Sequence, residues 1–138
     1  MSPVLLDTSV VVALLDRSES SHERCVKTVQ LLEAPLVTCE AVVAESCYLL
    51  RKLPAAVDAI LENVARGVFQ IPFQLSRIAA EVSKIQRKYR DVPADLADAC
   101  LIYAANQLGV GEILTLDHDF EIYRWGRSKR FHLLVLEH

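Results

Sequence analysis

The sequence predicts an α/β protein in which helices cover both faces of a mainly parallel sheet. Five short runs rich in apolar and β-branched residues alternate with longer stretches of helical periodicity. Strands separated by about ten to fifteen helical residues connect through right-handed crossovers, which keep the strands parallel and place the helices outside them. Proline and glycine residues mark the boundaries between the runs. We therefore expect a three-layer α/β/α sandwich.

Five segments have the length and composition of buried strands. Parallel strands that are covered on both faces are short and nearly continuous in apolar residues. Pro35 precedes the second segment and marks its start. The predicted strands are Val4–Asp7, Leu36–Thr38, Val68–Ile71, Glu112–Thr115 and Phe131–Val135.

Six helical stretches lie between these strands. Pro54 follows the end of the third stretch, and Gly67 and Gly109 each follow a helical run. Pro93 lies just before the last long helix. The predicted helices are Val10–Asp16, Ser20–Glu33, Glu40–Lys52, Ala55–Arg66, Gln74–Tyr89 and Asp95–Leu108.

The composition fits one folded domain. The chain has 138 residues, of which 52% are apolar and 24% are charged. We expect the domain to span residues 1–135 and Leu136–His138 to be a remnant of a cloning site and purification tag. No apolar run approaches the roughly 20 residues of a membrane span, and the first residues do not resemble a secretory signal. We therefore expect a cytoplasmic protein that does not contact a membrane.

The four cysteines do not indicate a metal site. They form no C-x-x-C pair, and no histidine lies at a zinc-finger spacing from two of them. We expect them to be small buried residues.

The net charge of −3 at first argues against a nucleic-acid partner, but the positive charges are clustered. A basic rim around an acidic centre is compatible with such a total. Each cluster is equally compatible with an ordinary solvated helix face. The two clusters are Lys84, Arg87, Lys88 and Arg90, and Arg124, Arg127, Lys129 and Arg130.

Three acidic residues lie within apolar stretches. Asp7 ends the first predicted strand, Glu45 lies inside an apolar helix, and Asp98 has apolar neighbours on almost every helical face. An ionised carboxylate is almost never fully buried unless it is paired or bound to a metal, because its desolvation costs several kcal/mol. Neither Glu45 nor Asp98 has a lysine or arginine at a helical spacing that would neutralise it. Either cationic side chains from distant parts of the chain neutralise these acids, or the acids share a divalent metal ion.

Further acids strengthen the second possibility. Asp117 and Asp119 follow the fourth predicted strand, and Asp95 lies one turn before Asp98. In parallel sheets, ligands bind beyond the carboxyl ends of the strands, where Asp7 and Asp117 both fall. Carboxylates without histidine or cysteine are the hard ligands that suit Mg²⁺ or Mn²⁺. Asp95, Asp117 and Asp119 are also compatible with helix capping.

Other chemistries have less support. The sequence contains neither a phosphate-binding G-x-x-x-x-G-K-[ST] loop nor a G-x-S-x-G nucleophile motif. His118 is a candidate general base, although a lone histidine in a turn is more often solvated. Tyr123 and Trp125, beside two arginines, could stack on exposed bases. They could equally well close the core near the C-terminus.

Four segments together resemble the PIN-domain proteins, specifically the VapC-type ribonuclease toxins of bacterial and archaeal toxin–antitoxin pairs. The resemblance covers nearly the whole chain, and four motifs in this order and spacing are specific. The segments are Leu5–Val11, Val37–Glu45, Asp95–Ala105 and Ile113–Phe120.

The resemblance implies an acidic quartet with two supporting hydroxyl groups. Asp7 and Asp98 would be the principal metal ligands, and Asp119 lies close enough to share or replace the role of Asp117. The implied quartet is Asp7, Glu45, Asp98 and Asp117, with Ser9 and Thr115 as supporting residues and Asp95 as a further auxiliary acid.

The resemblance also implies an activity and its partners. It implies an endoribonuclease that uses Mg²⁺ or Mn²⁺, forms homodimers and is blocked by a small antitoxin protein. Alternatives are an RNA-processing nuclease without an antitoxin and a non-catalytic binding module. A phosphate-accepting receiver domain would need an early pair of adjacent acids and a lysine after a late strand, which the chain lacks. Basic residues would hold the RNA backbone, and the candidates are Arg87, Lys88, Arg90, Arg124 and Arg127.

Overall fold

The computed structural model describes residues 2–136, so the predicted tag residues Glu137 and His138 lie outside the described residues. Strands and helices alternate through most of the chain. In order, the elements are β1 (Val4–Leu6), α1 (Thr8–Leu15), α2 (His22–Leu31), β2 (Leu36–Val37), α3 (Glu40–Leu49), α4 (Pro54–Ala65), β3 (Phe69–Gln70), α5 (Leu75–Lys88), α6 (Leu96–Leu108), β4 (Glu112–Leu114), a 3₁₀ helix (His118–Glu121), β5 (Arg124–Trp125), β6 (Lys129–Arg130) and β7 (His132–Leu133).

The central sheet has five strands in the order β3-β2-β1-β4-β7, and every neighbouring pair is parallel. Leu5 in β1 pairs with Val37 on one side and Ile113 on the other, so β1 occupies the middle of the sheet. All three residues of β1 are buried, as expected for a strand that is covered on both faces. The predicted three-layer α/β/α architecture is confirmed.

The helices pack on the sheet and on one another. α1 contacts α2 and α3, α5 contacts α6, and α6 also contacts β1. α6 is buried along most of its length, because eight of its thirteen residues have little or no exposed surface. Across residues 2–136, none of the helices combines the length and the hydropathy that a bilayer crossing requires.

Element boundaries differ from the predictions by a few residues. α1 begins at Thr8 and not at Val10, because Asp7 is already the N-cap residue. Every strand is shorter than predicted, and β3 has only two residues. α6 ends at Leu108, as predicted, and is followed by the cap residue Gly109, whose φ of 67° is the left-handed conformation that terminates many helices.

The antiparallel hairpin of β5 and β6 was not predicted. Each strand has only two residues, so neither produces a recognisable alternation of apolar and polar side chains. Trp125 packs against Gly111 so closely that a β-carbon there would collide with its ring. The Trp125 indole also donates to the carbonyl oxygen of Arg130 at 3.1 Å. Trp125 therefore anchors the hairpin to the domain.

The four cysteines are free, and Cys25, Cys39 and Cys100 are buried, as predicted. Cys47 differs from the prediction because it is only half-buried.

Candidate active site

The candidate site begins where β1 and β4 end side by side. Asp7 follows β1, and its amide donates to the carbonyl oxygen of Leu114 in β4 at 3.0 Å. Thr115 and Asp117 follow β4 directly. Because parallel strands direct their carboxyl ends to one edge of the sheet, residues more than a hundred positions apart in sequence meet there.

Helices α3 and α6 complete the site by bringing further acids to the same edge. The resulting pocket has a volume of about 190 Å³. All four members of the predicted acidic quartet lie around it, together with Asp95. The lining residues are Asp7, Thr8, Ser9, Glu45, Leu49, Asp95, Asp98 and Asp117.

Asp7 is held by hydroxyl groups. Thr115 Oγ1 donates to Asp7 Oδ2 at 2.6 Å, and Ser9 Oγ donates to the same oxygen at 3.4 Å. Each hydroxyl also accepts a backbone amide: Leu116 N donates to Ser9, and Asp117 N donates to Thr115. Ser9 and Thr115 therefore fix both the carboxylate of Asp7 and the loop that carries Asp117.

The hydrogen-bond partner of the Asp98 carboxylate was not predicted from the sequence. Tyr123 is completely buried, and its hydroxyl donates to Asp98 Oδ2 at 3.0 Å. Tyr123 also packs edge to face against Tyr89 and Phe120, which restrains its ring. Its alternative role in closing the core is therefore the one that the structure shows. The motifs contained no signal for the Asp98 contact, because the two residues are separated by 25 positions.

Asp95 and Asp117 both have capping roles. Asp95 is the N-cap of α6 and accepts the amide of Asp98 at 2.8 Å. Asp117 caps the 3₁₀ helix by accepting the amide of Asp119 at 2.9 Å. Both caps also line the pocket, whereas Asp119 does not. The geometry therefore favours Asp117 over Asp119 as the fourth acid of the site.

Glu45 differs from its sequence-based description. Its apolar neighbourhood predicted burial, but the side chain is exposed. The buried face of α3 consists of Val42 and Ser46, and the capping Leu50 continues it at the same spacing. Glu45 lies on the exposed side of the helix, where it borders the pocket. Apolar residues on both faces of α3 concealed this orientation.

The electrostatics of the pocket disfavour several ionised carboxylates at once. Burial raises the pKa of Asp7 to about 6, and the charges of Asp117 and Glu45 add to this effect, while the hydrogen bond from Thr115 opposes it. Burial likewise raises the pKa of Asp98 to about 7, with further contributions from Asp95 and Asp7. The five acids form no ion pair with any lysine, arginine or histidine of residues 2–136. The site therefore has a local excess of negative charge.

The donor chemistry fits a hard divalent cation. Every polar side chain that lines the pocket offers an oxygen atom as a metal ligand. Thr8 Oγ1 is buried there without a hydrogen-bond partner. Within the part of the chain that the structure describes, however, no three carboxylate, imidazole or thiol groups are arranged closely enough to hold a metal ion. A metal ion bound without rearrangement would therefore have at most two of these groups as direct ligands, with its other oxygens from hydroxyl groups or water.

The predicted basic residues lie outside the pocket lining. Arg124 is engaged in the fold, because its Nη1 donates to the carbonyl oxygens of Glu121, Ile122 and Tyr123. His118 is exposed, lies 3.3 Å from Glu121 and does not line the pocket. Two further side chains make local contacts: Arg87 donates to Ser83, and Lys88 lies over the Tyr89 ring. RNA contact by Arg87, Lys88, Arg90, Arg124 and Arg127 stays a prediction.

Comparisons with known proteins agree with this architecture. The family model described as PIN domain matches residues 4–126. Ribonuclease VapC26 of Mycobacterium tuberculosis is 29% identical over 117 residues, covering 83% of this chain and 86% of that protein. The crystal structure of Mycobacterium tuberculosis VapC20, a sarcin–ricin-loop-cleaving toxin, superposes with a TM-score of 0.79 at 16% identity. That alignment covers 86% of this chain and 93% of the other, and at this identity it supports the fold alone. Since the family model spans most of the sequence, the chain belongs to the PIN-domain family.

Proposed function

We propose that this protein is a metal-dependent endoribonuclease of the VapC type, which hydrolyses phosphodiester bonds of RNA at the acidic pocket. The observation that carries the proposal is the meeting of Asp7, Glu45, Asp98 and Asp117 in one pocket without a cationic side chain. The similarity to a ribonuclease named VapC26 and the PIN-domain match support the same activity. A purely structural role does not explain why two of these carboxylates are buried without a counter-charge.

In this proposal Asp7, Asp98, Glu45 and Asp117 would hold Mg²⁺ or Mn²⁺. The bound metal would supply Lewis-acid chemistry, which lowers the pKa of a water molecule and stabilises a departing oxygen. The chain's own residues position the carboxylates. Thr115 and Ser9 orient Asp7, and Tyr123 orients Asp98. Such restraint reduces the reorganisation that substrate binding would otherwise demand.

An RNA cleavage assay with the purified protein tests the activity. We expect cleavage of cellular RNA with MgCl₂ or MnCl₂, no cleavage with EDTA, and loss of cleavage in Asp98→Asn. Asp58→Asn is the matched control, because Asp58 is an exposed acid on α4 outside the pocket. Full activity of a folded Asp98→Asn protein would reject the metal-site assignment.

We further propose that the enzyme acts as a toxin in the cytoplasm, as a homodimer that a small antitoxin protein inhibits. Large apolar side chains that remain exposed on the helices, including Leu31 and Leu61, provide surface for protein partners. The alternative is a PIN-domain RNA-processing nuclease without an antitoxin. Expression of the wild type should stop growth, whereas Asp7→Asn should not. Normal growth with an active enzyme, and the absence of a small neighbouring gene for an antitoxin, would favour the processing nuclease.

A further inference from the structure

The solvent-facing side of α3 carries large apolar side chains next to the acidic pocket. Tyr48 is 62% exposed and Leu49 is 54% exposed, and both lie on the face that carries Glu45. Residues three and four apart on a helix are neighbours on its surface, so both side chains extend this face one turn beyond Glu45. Leu49 itself lines the pocket. Tyr48 is therefore at the rim of the candidate active site.

Arg51 adds a positive charge to this rim. Its guanidinium carbon lies 4.1 Å from the centroid of the Tyr48 ring, within the range of a cation–π contact. Its Nη1 donates to the carbonyl oxygen of Tyr48 at 2.8 Å, which fixes the guanidinium at the end of α3. Arg51 forms no ion pair with a carboxylate of residues 2–136. The next residue, Lys52, is also exposed.

We propose that Tyr48 and Arg51 bind single-stranded RNA beside the acidic pocket, Tyr48 by stacking on an unpaired base and Arg51 by contacting a phosphate. This inference rests on the proposed ribonuclease function and assigns substrate positioning to residues outside the acidic quartet. Proteins bind single-stranded nucleic acids through aromatic rings that stack on bases and through cationic groups, such as a guanidinium without an ion pair, that contact phosphates. A pocket lined by five acids repels RNA, so a cation at its rim lowers the cost of approach.

The charge of the rim favours RNA over an apolar protein surface. Such a surface would desolvate the Arg51 guanidinium without supplying a counter-charge, which is costly. A phosphate group, in contrast, accepts the planar donors of arginine directly.

Steady-state kinetics and binding test the proposal with one fluorescein-labelled single-stranded RNA oligonucleotide of mixed sequence. In the otherwise wild-type enzyme, we expect Tyr48→Ala to raise KM by about 5- to 100-fold with kcat changed less than about twofold. Tyr48→Phe, which retains the ring, should behave as the wild type. In the Asp98→Asn background, which does not cleave, Tyr48→Ala should weaken binding by the same factor in fluorescence anisotropy.

Salt dependence isolates the phosphate contact. Arg51→Gln should weaken binding and reduce the slope of log affinity against log salt concentration by about 0.7, the value for one phosphate contact with a single strand. Arg51→Lys should retain the slope because it retains the charge. Arg66→Gln is the matched control, since Arg66 is exposed just after α4 and does not line the pocket.

The outcomes separate this inference from the proposed function. A wild-type protein that neither cleaves nor binds RNA would contradict the ribonuclease proposal and this inference with it. An active wild type, with KM and RNA affinity unchanged in Tyr48→Ala, would overturn only the stacking site. Unchanged RNA affinity together with a lower sedimentation coefficient of Tyr48→Ala would instead assign the rim to a protein interface.

Discussion

Replacement of Asp7 by asparagine should stabilise the metal-free protein at alkaline pH while abolishing its activity. Asp7 is only 5% exposed, and its pKa is raised from 3.8 to about 6. Ionisation is therefore harder in the folded protein than in the unfolded chain. At about 1.4 kcal/mol for each pKa unit, the two-unit difference corresponds to a loss of about 3 kcal/mol.

The sign of the effect defines its pH window. Well below pH 3.8 the carboxyl is protonated in both states, so ionisation costs nothing. Between pH 3.8 and about 6 the unfolded chain loses this proton before the folded protein does, and the stability of the wild type falls. Well above pH 6 the carboxyl is ionised in both states, and the loss has reached its full size. Asparagine has the same shape without the charge, and its amide oxygen can still accept the Thr115 hydroxyl.

Thermal unfolding in EDTA measures the difference. For a domain of this size, about 3 kcal/mol corresponds to a rise in Tm of about 10 °C. We expect Asp7→Asn to unfold about 10 °C above the wild type at about pH 8, and to lose most of that advantage at about pH 4. Asp58→Asn should show no such pH-dependent gain. The charge on Asp7 also raises the pKa of Asp98, so part of the gain comes from relief of that repulsion.

Two results would refute this reasoning. One is a variant that is no more stable than the wild type at about pH 8, which would mean that the Asp7 carboxylate is already compensated. The other is a gain of equal size at both pH values, which would assign the effect to packing. Addition of MgCl₂ should stabilise the wild type and leave Asp7→Asn nearly unchanged, because only the wild type retains all the proposed metal ligands.

Two further predictions concern the support of the site and the end of α6. Tyr123→Phe removes the hydroxyl that lowers the pKa of Asp98, so the rising limb of activity against pH should move to higher pH. An unchanged pH profile with normal folding would show that the Tyr123 hydroxyl does not act through Asp98. Gly109→Ala should lower the free energy of unfolding by about 1 kcal/mol in urea titration, because Gly109 has a φ of 67°. No loss of stability would mean that the backbone relaxes to a negative φ without cost.

The fold and part of the site could be predicted because their signals are local. The alternation of apolar strands and helices predicted the parallel sheet. Helices cover both faces of this sheet, which explains why β1 is apolar throughout. Asp98 was identified because its helix is apolar on almost every face, and the residue is indeed only 7% exposed. Such a position can be recognised from sequence, since no rotation of the helix brings the acid into a polar surface.

Glu45 shows where local signals end. Both faces of α3 are apolar, so its composition does not indicate which face packs against the domain, and the acid is exposed rather than buried. The β5–β6 hairpin was missed because two-residue strands have no detectable periodicity. The same limit applies to the basic residues: Arg124 is engaged by three backbone carbonyl oxygens, and Arg51 is engaged by the carbonyl oxygen of Tyr48.

The amino-acid sequence alone determined the order of the five sheet strands and six α-helices and the acids that lie at the carboxyl edge of the sheet. This was possible because a buried strand or helix face requires apolar residues at regular spacings along the chain. Only the tertiary structure decided that Tyr123 binds Asp98, that Asp117 and not Asp119 faces the pocket, and that the Arg51 guanidinium lies over the Tyr48 ring. Those contacts join residues through space, and the energy of a contact depends on distance and direction, which spacing along the chain does not encode.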